Sequence, residues 1–472
     1  MQYPSLIGHS AELCRIIKKS SQPADALASD YMRSRKYIGS HDRRFISEVT
    51  FFALRALSLC EYLSATLWKE CGYTGEDNPG LFNDIGSICV ALFLGKRLHA
   101  FTHEELVDNL PENIEILITV FREKLQITDE HIAELWCEKY KQHEQEVHNI
   151  LYGTSINDTL TSTVFCLPDW IITALMKRGH SYQEIRELAK SLLFPAPLII
   201  RVKKPLENRD KVQKILEVNN DIHAELSSLS PAGLVIKKRV SLQQLPLYKE
   251  GMIEVHDEGS QLIGYAVNPK EGDIVLDACA GAGGKSLHIA DLQNDNGEIL
   301  STDIEYKRLK EIYIRASRAG YSSIRSILLH KKKESSELIK YKNKCNLVLV
   351  DAPCSGMGTV RRMPMAKWRT TPKLLEKLST NQRAILSHNA QYVKIGGSII
   401  YATCSILPQE NEEVVLDFLK NNPNFEPDFL SDIFAEHNIT IDSLDSTDFF
   451  LTLYSSIHKT DGFFVARMRR VQ

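Results

Sequence analysis

The 472-residue sequence has no uninterrupted run of about 18 apolar residues, so a helical membrane span is not expected. None of its ten cysteines forms a Cys-x-x-Cys pair, which leaves the zinc reading weak and no metal expected. Met1 to Ser20 carries charge and lacks the apolar core of a signal segment. The expectation is a cytoplasmic chain without a disulfide framework, most of its cysteines acting as small buried hydrophobes. An excess of either charge is also missing: the net charge is −3, which does not advertise nucleic-acid binding. No heptad run or exposed apolar stripe stands out, so a monomer is expected. What remains is ordinary globular composition, 43% hydrophobic and 25% charged, with length enough for two or three domains.

Local charge says more than the total. Lys237-Lys238-Arg239, Lys331-Lys332-Lys333, Arg361-Arg362 and Arg467 to Arg470 are basic clusters. Any one of them reads most simply as a solvated face. Several within one half of the chain point to a polyanionic substrate.

Residues 1–150 read as helical, with apolar residues at three- and four-residue spacing over Ile7 to Lys19 and Arg43 to Leu67. Gly95 and Pro111 fall between helical runs, and Ser40 or Asp42 is the expected cap of the helix that follows Gly39. No chemistry stands out there, and the expectation is an accessory domain. Residues 151–256 continue with helices opened by Pro168 and running over Tyr182 to Leu193, until Pro195 and Pro197 break the pattern. A small α+β unit follows: strands at Leu198 to Val202 and Leu234 to Ile236, with a helix at Arg209 to Val218, and Gly251 to Val255 leads into the last domain. A small sheet bearing Lys and Arg is a candidate RNA-binding module.

Residues 257–472 alternate strand and helix. Ile274 to Leu276, Glu298 to Thr302, Ile324 to Leu329, Asn346 to Val350 and Ser398 to Ala402 are strand-like, with helices at Lys285 to Leu292 and Lys307 to Ala319. Phe449 to Tyr454 and Phe463 to Met468 are expected as an antiparallel edge pair. The pattern predicts an α/β, doubly wound, Rossmann-like domain, whose ligands bind at the carboxyl ends of the strands.

Four strand ends carry candidate chemistry. Gly281-Ala282-Gly283-Gly284 follows the first, where small residues let a ligand approach backbone N–H groups at a helix start. Nicotinamide and adenosylmethionine folds both use such a loop, so it does not choose between them. Asp303 ends the second strand, placed to accept hydrogen bonds from a ribose. Cys354, in Asp351-Ala352-Pro353-Cys354-Ser355-Gly356, and Cys404, in Thr403-Cys404-Ser405, leave two further strands. A thiol attacks only as thiolate and needs nearby positive charge or a helix N-terminus to become one. The residues alone do not say which thiol would attack.

Asp277-Ala278-Cys279-Ala280-Gly281-Ala282-Gly283-Gly284-Lys285-Ser286, the Asp351–Gly356 stretch and Tyr401-Ala402-Thr403-Cys404-Ser405 together resemble the RNA (cytosine-5)-methyltransferase family of the Sun/NOL/NOP type. Asp257 to Gln261, Glu410-Asn411-Glu412 and Asp461 to Phe464 are similar to further family motifs, and Gly358 to Pro364 with Lys367-Trp368 is similar to the bacterial small-subunit ribosomal-RNA branch. Residues 39–55 resemble the NusB-like helical domain of the bacterial enzymes. The resemblance implies S-adenosylmethionine as cofactor, RNA as partner and methylation of cytosine C5, with Cys404 attacking C6 and Cys354 assisting release. It further implies that Asp351 meets the cytosine edge and touches the cofactor, and that Lys285 contributes its charge. Cys279, Ala280, Gly281, Ala282, Gly283, Gly284 and Lys285 would line the cofactor, and Asp303 would hold its ribose. The chain departs from the pattern at Ala282 (usually Pro), Ser286 (usually Thr), His256 (usually Gln) and His330 (generally Asp). A different class, an RNA-binding ribosome-assembly factor with weak or lost catalysis, is the alternative.

Overall fold

The computed structural model describes every residue except 74–78, 104–112, 154–159, 206–207, 238–239 and 331–334. Pro111, Lys238, Arg239 and Lys331 to Lys333 therefore lie outside the described residues. The chain forms two compact units: Met1–Pro195 with Val360–Arg369, and Ala196–Thr359 with Thr370–Gln472. Among the described residues no helix is long and apolar enough to cross a membrane.

The first unit is helical. Its opening helix, Tyr3–Lys19, buries Leu6, Ile7, Leu13, Cys14 and Ile17, the stripe expected from three- and four-residue spacing. The run Arg43 to Leu67 is two helices, Ser40–Arg55 and Leu57–Glu70, interrupted at Ala56. Neither expected cap is used: Gly39 occupies the N-cap without a side chain to offer, and the Asp42 carboxylate accepts from the Met1 amine at 3.0 Å instead. Gly95 lies inside the helix Pro79–Arg97 rather than between helices. It is there for space, since a Cβ at that position would meet the Phe101 ring at 2.4 Å.

The segment Val360–Arg369 is threaded into this helical unit by buried polar bonds. Lys367, 1% exposed, donates through Nζ to the Arg55 carbonyl at 2.7 Å. Arg361 Nη2 donates to the Pro195 carbonyl at 2.8 Å, and Arg369 Nη2 to the Ser20 carbonyl at 2.6 Å. Burial pulls the Lys367 ammonium down to about 8; Cys166 opposes the shift and Arg55 adds to it. Arg361 is thus a buried donor, not the solvated basic face its sequence suggests.

The second unit contains two sheets. The smaller is antiparallel, in the order β2-β3-β1-β4, from β1 (Leu198–Val202), β2 (Ala224–Leu226), β3 (Gly233–Ile236) and β4 (Ile253–Val255). The helix Asn208–Asn220 covers it through Val212 and Leu216.

The larger sheet is built from β5 (Ile274–Asp277), β6 (Glu298–Asp303), β7 (Ile324–Leu328), β8 (Cys345–Asp351), β9 (Val393–Thr403), β10 (Phe425–Pro427), β11 (Phe450–Leu453) and β12 (Phe463–Arg470). The order is β10-β12-β9-β8-β5-β6-β7, with β11 also pairing β12. Strands β5 to β9 run parallel to their neighbours, and β12 joins antiparallel to β9. The expected antiparallel pair of β11 and β12 forms, but only β11 is an edge: β12 is interior, with β9 on one side and β10 and β11 sharing the other.

Alternation along the central strands places one core on each face. Val348 and Val350 of β8 pack with Ile399 and Tyr401 of β9 in one core; Leu347, Leu349, Ile400 and Ala402 pack in the other. Fully burying each such aliphatic side chain contributes about 1.5–3 kcal/mol. These contacts hold the ends of β8 and β9 side by side. Arg467 is part of the same framework, donating to the Asp428 carboxylate at 2.6 Å and to the Ala266 and Val267 carbonyls at 2.9 and 2.8 Å. It is 7% exposed, so the Arg467 to Arg470 cluster is not simply a basic surface.

Candidate active site

The order of the larger sheet reverses between β6-β5 and β5-β8, and in open α/β sheets the ligand crevice lies outside the carboxyl ends of the strands at such a reversal, here β5 and β8. After β5 the chain turns through Gly281 (φ +55°) and Gly283 (φ +84°) into the helix Gly284–Leu292. A side chain at Gly283 would need a left-handed backbone and would strike Ile312 at 2.7 Å. The turn is closed by Gly283 N–H to the Ala280 carbonyl at 2.8 Å and braced by Ala280 N–H to the Thr302 carbonyl at 2.9 Å. At the end of β6, Asp303 accepts from Gly281 N–H at 3.1 Å and from Glu305 N–H at 2.8 Å.

This arrangement fits an adenosyl cofactor. An added Cβ at Gly281 would meet nothing within 4 Å, so the loop leaves open space over its backbone. A carboxylate able to accept ribose hydroxyls stands beside that space. Cys279 is not a nucleophile in these surroundings. Burial, then the charges of Asp351, Asp277 and Asp303, push its thiol far up. His330, bridging just beyond β7, is exposed.

At the other side of the crevice, Cys354 and Cys404 leave the adjacent parallel strands β8 and β9, and their sulfurs are 3.3 Å apart. Lys285, from the first turn of the helix after the glycine loop, reaches the Asp351 carboxylate at 2.7 Å. Burial pushes the Lys285 ammonium down, but Asp351, Asp277 and the Cys404 sulfur together leave it raised. It is a cation at neutral pH. Cys404 thus has the positive charge within electrostatic reach.

Cys354 has different neighbours. The contact with Cys404, then burial, then the charges of Cys404 and Glu410 push its thiol well above the ordinary value. Ser355 donates to the buried Glu410 carboxylate through its N–H at 2.8 Å and through its hydroxyl, and Gln382 Nε2 bridges the same carboxylate to the Pro353 carbonyl. The Cys404 turn is held by Asn411, which accepts from Thr403 Oγ1 at 2.7 Å and donates to the Ser405 carbonyl at 3.0 Å. The two loops also touch directly: Gly358 N–H donates to the Cys404 carbonyl at 2.8 Å, and a Cβ at Gly358 would lie 1.9 Å from the Gly462 carbonyl oxygen.

Sequence reasoning attached no role to Gln382, Glu410 or Asn411. The available signal was a Glu-Asn pair closely following Thr403-Cys404-Ser405. Asp277 was also passed over as the end of a strand. It is fully buried, accepts from Ser286 Oγ at 2.7 Å, and burial raises its carboxyl to about 7. His256 is buried against Ser260 Oγ at 3.0 Å. Burial, then the charges of Arg201, Lys285 and Arg315, hold it neutral.

Comparison with known proteins assigns the chain to a family. Residues 264–469 match the family described as 16S rRNA methyltransferase RsmB/F. The chain is 30% identical to the probable ribosomal RNA small subunit methyltransferase B of Synechocystis over 70% of this chain and 72% of that one. It is 29% identical to the Bacillus subtilis protein of the same description, over 64% of this chain and 66% of that one. The crystal structure of PH0851 shares the fold at a TM-score of 0.69 and 20% identity, covering 99% of each chain. That of NSun6 from Pyrococcus horikoshii with SFG does so at 0.56 and 20%, covering 65% of this chain and 98% of that one. With its Rossmann-like sheet and this extent of identity, the chain belongs to the RsmB/F family of 16S rRNA methyltransferases.

Proposed function

We propose that the protein methylates C5 of a cytosine in RNA, in the small-subunit ribosomal RNA, through a covalent bond between Cys404 and C6 of the base. The observation that carries this reading is the contact of two sulfurs at adjacent strand ends, with a lysine–aspartate pair beside them. A sheet with a glycine loop serves many cofactors; two convergent thiols have a use in pyrimidine chemistry.

Cytosine C5 is a weak nucleophile. Attack of the Cys404 thiolate on C6 breaks the C5=C6 double bond and leaves its electron pair as an enamine that reacts at C5. S-adenosylmethionine supplies the electrophilic methyl group. Residues 279 to 285 would line it and Asp303 would take its ribose hydroxyls. Asp351, half-buried and held by Lys285, accepts a hydrogen bond from the exocyclic amine at the cytosine edge and orients the ring. C5 then gives up its proton to water entering the site, the double bond re-forms, and the S–C6 bond breaks.

The surroundings of the two thiols support their division of labour. Cys354, kept protonated by its contact with Cys404 and by burial, with Glu410 adding to both, can donate S–H to the departing Cys404 sulfur and so ease release. Cys404 has the Lys285 ammonium within electrostatic reach, as an attacking sulfur needs. The base must leave its stack to reach a recessed strand edge, which favours single-stranded or locally opened RNA. The four-stranded sheet is the proposed RNA-binding module, and the helical unit of residues 1–150 the NusB-like accessory domain. The chain acts in the cytoplasm, where ribosomal RNA is made.

Incubating the protein with methyl-labelled S-adenosylmethionine and small-subunit RNA, then digesting to nucleosides, tests the reading. Label in 5-methylcytidine is expected; label on a ribose or an exocyclic amine would sink it. The alternative, an assembly factor without catalysis, draws on exposed His330 where the family generally has an acid. It predicts RNA binding with no calorimetric signal from the cofactor.

A further inference from the structure

The glycine loop is tied to the small sheet by a fork. Arg315, on the helix Tyr306–Ala319, donates through Nη1 to the Ala282 carbonyl at 2.6 Å and through Nη2 to Glu254 Oε2 at 2.9 Å. Glu254 is 5% exposed on β4, and its other oxygen accepts from Arg318. Across the β1–β4 ladder Glu254 lies opposite Arg201, yet the two do not neutralise each other. Arg201 instead reaches over to Asp291 at 2.7 Å, on the helix that follows the glycine loop. The small sheet thus grips the loop on one side and its helix on the other.

The loop is where such a grip matters. Positive φ at Gly281 and Gly283 gives the backbone freedom, and Ala282 between them adds none of the rigidity of a proline ring. A guanidinium is planar with donors in fixed directions, so holding one nitrogen on a buried carboxylate sets where the other points. An ammonium has no such fork. Glu254, desolvated and shared by two arginines, is a firm anchor.

We infer that Arg315 is a positioning residue for the cofactor loop, setting the Ala282 peptide against the four-stranded sheet through Glu254. The inference rests on the methyl-transfer reading above. It adds that affinity for the cofactor depends on a residue outside the loop, one that touches neither the RNA base nor the reacting atoms.

Calorimetric titration of the full chain with S-adenosylhomocysteine tests this, beside steady-state methylation. Arg315→Met is expected to weaken binding about tenfold, the effect of losing a charge-assisted hydrogen bond. The KM for S-adenosylmethionine rises in step while kcat stays within about twofold of the parent. Arg315→Lys restores the melting temperature but only part of the affinity. Glu254→Gln added to Arg315→Met brings little further loss, because the two act as one unit. Unchanged affinity in Arg315→Met overturns the inference. So does an equal loss in Arg318→Met, which shares Glu254 but serves as the control for its burial. If the unsubstituted chain does not bind S-adenosylhomocysteine, the methyl-transfer reading falls first and takes this inference with it.

Discussion

The loops after β8 and β9 look alike in sequence, each a cysteine followed by serine at the end of an apolar strand, but they are built differently. The Cys354 loop is wrapped around a buried carboxylate: Glu410 takes Ser355 directly and Pro353 through Gln382. The Cys404 loop is braced by the neutral amide of Asn411 and has the Lys285 ammonium within electrostatic reach. Negative charge behind one thiol and positive charge near the other make unlike groups of two like residues. Chemistry that needs one thiolate and one thiol in contact is served by this asymmetry.

The largest effect that would break the comparison is loss of the sulfur proposed to attack. Cys404→Ala is expected to bring methyl transfer below detection while S-adenosylhomocysteine still binds within about twofold. Full activity in that variant removes the assignment. Cys354→Ala is expected to form the adduct and fail to release it, which a gel run in denaturant reads as a retarded protein–RNA band. A band from the Cys404 variant and none from the Cys354 variant would exchange the two roles.

Lys285→Met tests the electrostatic half of the contrast. Without the ammonium the reacting centre loses its positive charge and Asp351 its partner, so activity at neutral pH falls about 10²-fold. Parent-level activity in Lys285→Met would remove the charge of Lys285 from the mechanism.

Asp277, the buried carboxyl below the glycine loop, gives the smallest effect. An unfolded chain releases its proton near 3.8, the folded chain only near 7. The folded state holds the extra proton between these values, so this group's contribution to stability is full below 3.8 and is lost as pH rises to about 7. Asp277→Asn should reduce the fall in melting temperature between pH 5 and 8 by about 2–4 °C. Equal slopes in both proteins would show that Asp277 is ionised in the fold.

Much of the second unit was legible. Runs such as Ile274 to Leu276 and Asn346 to Val350 are strands within a residue of where apolar runs and turn residues place them, since a doubly covered sheet demands continuous apolar strands. The pairing of Phe463 to Met468 was not legible as interior. Its apolar residues are equally at home at an edge, and only the antiparallel partner β9 decides. The basic clusters were misleading for a similar reason. Arg361 and Arg467 look like solvated charge in a sequence, but each donates to carbonyls that come from far along the chain. The excursion of Val360–Arg369 into the helical unit left no periodic trace.

The sequence by itself determined the alternating architecture, the glycine turn and the presence of two cysteines at strand ends, because each depends on local periodicity and on residue types with few conformational options. Only the tertiary structure decided that the two sulfurs meet at 3.3 Å, that Glu410 stands behind one and Lys285 near the other, and that Arg315 forks between Ala282 and Glu254. Those are contacts between residues tens of positions apart, and electrostatic surroundings at a few ångströms follow from packing, which no local pattern encodes.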